Sequence, residues 1–190
     1  MTDSIPSMTL AHRLRGETAQ AHVALEAGLD FDIHQPDAKV AVGMLESFYR
    51  ILQVFEPAML ALLPPQLRSR SRLAILQTDL TRLGSDTATL SSPHSIWLPK
   101  SSAEAMGALY VMEGSTLGGK VIAKALRRLP EWPLRGKSYF DPYESETGAM
   151  WAAFQLQLAG VPAHEWDAVV NGANQTFGML DAAMTNEVRA

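Results

Sequence analysis

Apolar residues recur three and four positions apart along most of the chain, the spacing of one helix face, and no stretch alternates convincingly as a strand would. The pattern predicts five or six amphipathic helices. The first spans about 9–27, with Leu10, Leu14, Ala21 and Leu25 in phase. The second, about 37–63, carries Val40, Met44, Phe48, Ile51, Leu52 and Phe55, should kink at Pro57, and stops at Pro64-Pro65. A third, about 66–83, opens with Arg68, Arg70 and Arg72 and ends at Gly84. Residues 84–100 read as an ordered Ser/Thr-rich loop pinned by Ile96, Trp97 and Leu98. Ser101 and Glu104 have the spacing of a capping box, which opens a long helix to about 129 containing Met106, Leu109, Tyr110 and Met112. Pro130, Pro133 and Pro142 hold the next segment out of helix, and two further helices cover about 146–159 and 164–188. With no repeat, linker or low-complexity tract, the expectation is one all-α domain over 1–190, its first eight residues a flexible tail.

Composition narrows the chemistry. The 190 residues include no Cys, so disulfides, zinc–thiolate sites, iron–sulfur clusters and thiol nucleophiles are excluded. A 47% hydrophobic content supplies a real core, with a radius of gyration of roughly 16 Å expected for a globule of this length. Sixteen basic against 20 acidic residues give a net charge of −4, which does not suit a nucleic-acid binder. No run of about 18 uncharged apolar residues exists and the start lacks an apolar signal core, so no membrane partner and a cytoplasmic location are expected.

Two places do not read as plain helical bundle. In the first helix, His22 shares a face with Leu14, Thr18 and Leu25, which should turn its ring inward. A neutral imidazole can ligate a metal through one nitrogen. Glu26, one turn on, can hold the other nitrogen, fixing the tautomer and raising ligand basicity. Arg15, seven residues earlier and nearly in phase, can meet a carboxylate at the edge of a large flat ligand. An ordinary core histidine with a helical Glu partner explains the same residues. His12, His34, His94 and His164 read as surface or loop residues, and no HExxH, paired Glu-x-x-His, phosphate loop or nucleophile elbow is present.

The second place is Glu113-Gly114-Ser115-Thr116-Leu117-Gly118-Gly119-Lys120, inside the long helix. Three mid-helix glycines cost about 1 kcal/mol each relative to alanine. They let something approach the backbone closely and let the helix bend, with Ser115 and Thr116 able to bond back to carbonyls. Tight helix–helix packing explains one or two of them; a flat ligand explains all three. A histidine-bearing helix facing a side-chain-free surface suits a planar metallomacrocycle with rim carboxylates, which is haem.

These residues resemble the proximal and distal helices of haem oxygenases, most closely the bacterial biliverdin-producing type found beside bacteriophytochromes. Ser138-Tyr139-Phe140-Asp141-Pro142-Tyr143, Thr147-Gly148, Trp151-Ala152-Ala153-Phe154 and Thr176-Phe177 extend the likeness, in order, over nearly the whole chain. The resemblance implies a helical fold with haem b, both substrate and cofactor, between His22 as axial iron ligand and a kinked distal helix. It makes Glu26 the partner of His22, and Gly114, Ser115, Gly118 and Gly119 the catalytic distal surface. Arg15, Thr18, Lys120 and Lys124 join His22 and Glu26 as cofactor-binding residues. The implied reaction is O₂-dependent cleavage of haem to biliverdin, CO and iron. No flavin or nicotinamide motif is present, so an external donor such as a ferredoxin, a flavodoxin-type reductase or ascorbate is expected to supply electrons, and the resemblance offers a bacteriophytochrome as a bilin acceptor.

Two departures from the family pattern stand out. Many haem oxygenases carry Asp directly after the first distal glycine, where this chain has Ser115. The mammalian enzymes place basic residues on a later helix, and 151–157 here has none, leaving Lys120, Lys124 or Arg127 to substitute. The alternatives are a haem carrier or sensor that does not degrade its ligand, a thiamine-type hydrolase on a similar architecture, and a plain helical interaction module.

Overall fold

The structure is a computed structural model that describes residues 9–187; the expected tail at 1–8 lies outside the described residues. Seven α-helices follow in order: α1 Leu10–Glu17, α2 Ala19–Gly28, α3 Ala38–Leu62, α4 Leu73–Arg82, α5 Ser102–Leu126, α6 Thr147–Ala159 and α7 Trp166–Glu187. Short 3₁₀ turns precede α4, α6 and α7, and no strand forms among the described residues.

The anticipated first helix is two. Thr18, with φ −108° and ψ −2°, separates α1 from α2, and its hydroxyl donates back to the Leu14 carbonyl at 2.8 Å. Such back-bonding bends a helix. The anticipated third helix is also divided, into the 3₁₀ turn Pro65–Arg70 and α4. Here the cause is tertiary. Buried Glu56, reaching from α3, accepts the backbone N–H groups of Arg72 and Leu73 at 3.0–3.1 Å and the Ser71 hydroxyl at 2.5 Å. A carboxylate there satisfies the first orphan donors of α4 and complements its dipole.

Several ends fall where expected. Leu63, before Pro64-Pro65, is extended with ψ 154°. After α4, Gly84 takes φ +85° while the Ser85 N–H bonds to the Leu80 carbonyl at 2.9 Å, closing the helix through a left-handed residue. Pro57 lies inside α3, five residues before its end. Ser101 caps α5 by accepting the Glu104 N–H at 3.1 Å, but Glu104 reaches one residue further back than in a capping box, to the Lys100 N–H at 2.7 Å. The loop before α5 is held by Gln53, which donates to the Leu90 carbonyl at 2.8 Å, and by Trp97 against Phe55.

Helix α5 runs through the middle and packs most extensively against α7. Glycines decide that pairing. A Cβ on Gly107 would stand 1.9 Å from the Val169 carbonyl oxygen, and one on Gly172 would stand 2.2 Å from that of Glu104. The core gathers Leu14, Leu45, Leu52, Phe55, Leu109 and Phe154, all with at most 1% of their surface exposed. By contrast α2 buries no residue completely, because a cavity lies beneath it.

Candidate functional site

That cavity, about 890 Å³, is of a size that holds small molecules and cofactors. Helices α1 and α2 form one wall through Arg15, Thr18, His22 and Glu26. The opposite wall is α5, through Tyr110, Gly114, Ser115, Leu117 and Gly118. Phe31, Phe48, Tyr139, Trp151 and Phe177 make the interior strongly aromatic.

His22 departs from its expected orientation. Its side chain is 54% exposed, standing at the cavity wall rather than in the core. The broken helix and the space below α2 leave nothing to cover it. Its ring meets Phe177 edge-on, with centroids 5.7 Å apart and planes at 73°, which restrains the ring. The Nδ1 atom faces Glu26 Oε2 at 3.5 Å, leaving Nε2 as the nitrogen for a ligand. Among the described residues no group of three His, Cys, Asp or Glu could hold a metal ion. The donor set is thus a lone imidazole beside an apolar slot.

The distal glycines divide. A Cβ on Gly118 would meet nothing within 4 Å, and one on Gly114 would only touch Trp151 at 3.8 Å. Both keep the α5 wall flat. Gly119 also lines the cavity but answers to packing as well, since a Cβ there would lie 2.5 Å from the Phe140 carbonyl oxygen. All three glycines line the cavity, two of them open to it, while Gly119 is also held by the crossing of residues 138–141 over α5. An open flat wall opposite a single imidazole, with apolar side chains between, fits a haem ring.

Cations are distributed unlike the sequence expectation. Arg15 lines the cavity, but Lys120 and Lys124 do not. Lys120 turns away to donate to the Glu144 carbonyl at 2.8 Å. Arg127 is committed to Asp141 Oδ2 at 2.9 Å and the Gly136 carbonyl at 2.8 Å. Ser115 is brought to the cavity, its hydroxyl donating to the Met112 carbonyl at 2.8 Å.

Behind the α5 wall, Glu113 is 1% exposed and accepts from Arg70 at 2.6 Å and from the Tyr143 hydroxyl at 2.8 Å. Burial foremost, then the Glu113 charge, pushes the Tyr143 phenol up to about 12, so it remains a donor. Burial also raises the Tyr110 phenol, against a hydrogen bond with Thr18 that links α5 to the α1–α2 break. Sequence reasoning missed Tyr110, Phe31 and Gln155 as lining residues, and Arg70 and Tyr143 behind them. Tyr110 reads only as one more apolar position on α5, Tyr143 only as part of the block that extends the family likeness and Arg70 only as one of three arginines near α4. Nothing local marks Phe31 or Gln155.

Comparisons with known proteins show the family. The heme oxygenase family model matches residues 8–186. A heme oxygenase of Xanthomonas campestris pv. campestris (strain 8004) is 31% identical over 163 residues, covering 80% of this chain and 93% of that protein. The NO- and CO-bound heme oxygenase of Neisseria meningitidis shares the fold, with a TM-score of 0.69 and 20% identity over 95% of this chain and 92% of that one. The lone imidazole, the flat glycine wall and the match along nearly the whole length lead to one conclusion: this chain belongs to the haem oxygenase family.

Proposed function

We propose that this chain cleaves haem oxidatively to biliverdin, carbon monoxide and free iron, using O₂ and electrons from an external donor. The observation that carries this reading is the apolar slot between a single half-open imidazole and the side-chain-free stretch of α5. Haem supplies the iron at which O₂ is activated and the ring that is oxidised; the protein's part is steric and electrostatic.

In this reading His22 ligates the iron through Nε2, and Glu26 holds Nδ1 and the tautomer. Phe177 sets the plane of the imidazole. Gly114 and Gly118 allow the ring to lie against α5 and leave space on that side for a diatomic molecule. Thr18 and Tyr110 hold the angle at which α2 delivers His22. Arg15 is the permanent cation of the cavity lining and the partner for rim carboxylates, so the α1 end determines how the ring is seated. The electron donor is a ferredoxin, a flavodoxin-type reductase or ascorbate, and the bilin acceptor a bacteriophytochrome.

The test is to add hemin to the purified protein, record its visible spectrum, then supply reductant in air. A one-to-one complex whose sharp band decays into a broad red-absorbing bilin band is expected. His22→Ala should weaken or re-ligate the complex and abolish turnover. A complex that never decays would mark a carrier or sensor instead. An unchanged spectrum and rate in His22→Ala would remove His22 from the role.

A further inference from the structure

Behind the α5 wall lies a buried cation that the proposed reaction does not yet use. Arg72, at the start of α4, is 2% exposed, and its guanidinium touches three residues of the cavity lining. Its Nη2 donates to the Met112 carbonyl at 2.6 Å and to the Ser115 hydroxyl at 3.3 Å. Its central carbon stands 5.1 Å from the centroid of the Tyr139 ring. No ion pair among the described residues involves this side chain. Glu56 is occupied by the Arg72 and Leu73 backbone and the Ser71 hydroxyl, and Glu113 by Arg70 and Tyr143.

The Arg72 guanidinium forms no ion pair among the described residues; Glu56, bonded to the Arg72 backbone, offsets part of its charge. The guanidinium is nevertheless the group in direct contact with Ser115, and in low-dielectric surroundings its field acts strongly there. That field reaches the part of the cavity beside Ser115. Ser115 itself is set up to answer it. The Met112 carbonyl receives hydrogens from both Ser115 and Arg72, so it stays satisfied if the serine turns its hydrogen into the cavity. While Arg72 donates to Oγ, the Ser115 O–H is polarised and becomes a stronger donor.

We propose that Arg72 and Ser115 make this corner of the cavity a site for a small inorganic anion above the haem, with Arg72 as the positioning residue and Ser115 as the contact. The inference rests on the haem-binding reading, and its test separates the two. Hemin complexes of wild type, Arg72→Met, Arg72→Lys and Ser115→Ala are titrated with azide in the ferric state and, as a neutral control, with carbon monoxide in the ferrous state. Arg72→Met should weaken azide about tenfold, the scale of one partly screened charge at a cavity wall. Ser115→Ala should weaken it about threefold, as expected for loss of one modest hydrogen bond. Arg72→Lys, which keeps the charge, should recover most of the loss, and carbon monoxide affinity should stay within about twofold throughout.

Unchanged azide affinity in both Arg72→Met and Ser115→Ala would overturn the inference. So would equal losses of azide and carbon monoxide, which would make Arg72 a packing residue. Should Arg72→Met fail to fold, Ser115→Ala, which removes only an exposed hydroxyl, decides alone. A wild-type chain that takes up no hemin would overturn the proposed function and this site with it.

Discussion

Gly118 and Gly119 are neighbours in sequence and opposites in role. Beyond the Gly118 Cα lies open cavity, whereas the Phe140 backbone closes on Gly119. Gly119→Ala should therefore destabilise the fold by about 1–3 kcal/mol, since backbone rather than a flexible side chain must shift. Gly118→Phe should leave the melting temperature nearly unchanged and block haem turnover by filling the cavity. Thermal melts with hemin turnover on both variants check this, and a normal rate for a folded Gly118→Phe would remove Gly118 from the distal wall. Asp79 carries a different single-residue expectation. It is buried and accepts the Tyr139 N–H at 2.6 Å, and burial raises its carboxyl above the ordinary aspartate value. Its stabilising contribution is thus complete below the unfolded pKa and lost as pH rises through the higher folded one. Asp79→Asn keeps an oxygen acceptor without the charge. Its melting temperature should gain on wild type as pH rises above the ordinary aspartate value, and parallel curves would contradict the assignment.

Among the elements, α4 is the one whose start is imposed from outside. Nothing near Arg72 in sequence caps it, and the donors go to Glu56, 16 residues earlier on α3. Glu56→Ala should cost about 3 kcal/mol in denaturant unfolding, because three donors lose their acceptor together. Glu56→Gln, which retains one oxygen, should cost less; equal and small losses would mean that water replaces the carboxylate. Periodicity reads 66–83 as one helix because Arg68, Arg70 and Arg72 are compatible with helix and no breaker intervenes. The same blindness hid the break at Thr18, where the threonine hydroxyl bonds back to the Leu14 carbonyl beside Tyr110 of another helix. Gly84 and Pro64-Pro65 were legible because their constraints are local: one favours positive φ, the others forbid the preceding helical geometry.

At the scale of the whole molecule, the α5–α7 contact holds the distal wall in place. Gly107 and Gly172 bring the two backbones together without an intervening Cβ, and Gly107→Ala should cost about 3 kcal/mol or more. A melting temperature within a degree or two of wild type would show that α7 can move aside. The all-helical class, the long α5, the absence of strands among the described residues and the pairing of His22 with Glu26 were written in residue spacing. Periodicity of 3.6 residues and short-range caps involve only nearby positions. The seven helices exceed the five or six that the spacing predicts. The haem oxygenase family was legible in the resemblance carried by the glycine run and the His22–Glu26 segment. What the spacing could not tell was which way His22 faces, which glycine serves packing, and which cation stands behind Ser115. Those outcomes depend on a void beneath α2, on Phe140 crossing α5, and on Arg72 arriving from α4 behind Ser115. Each is a contact between residues far apart in the chain, so only tertiary packing could decide it.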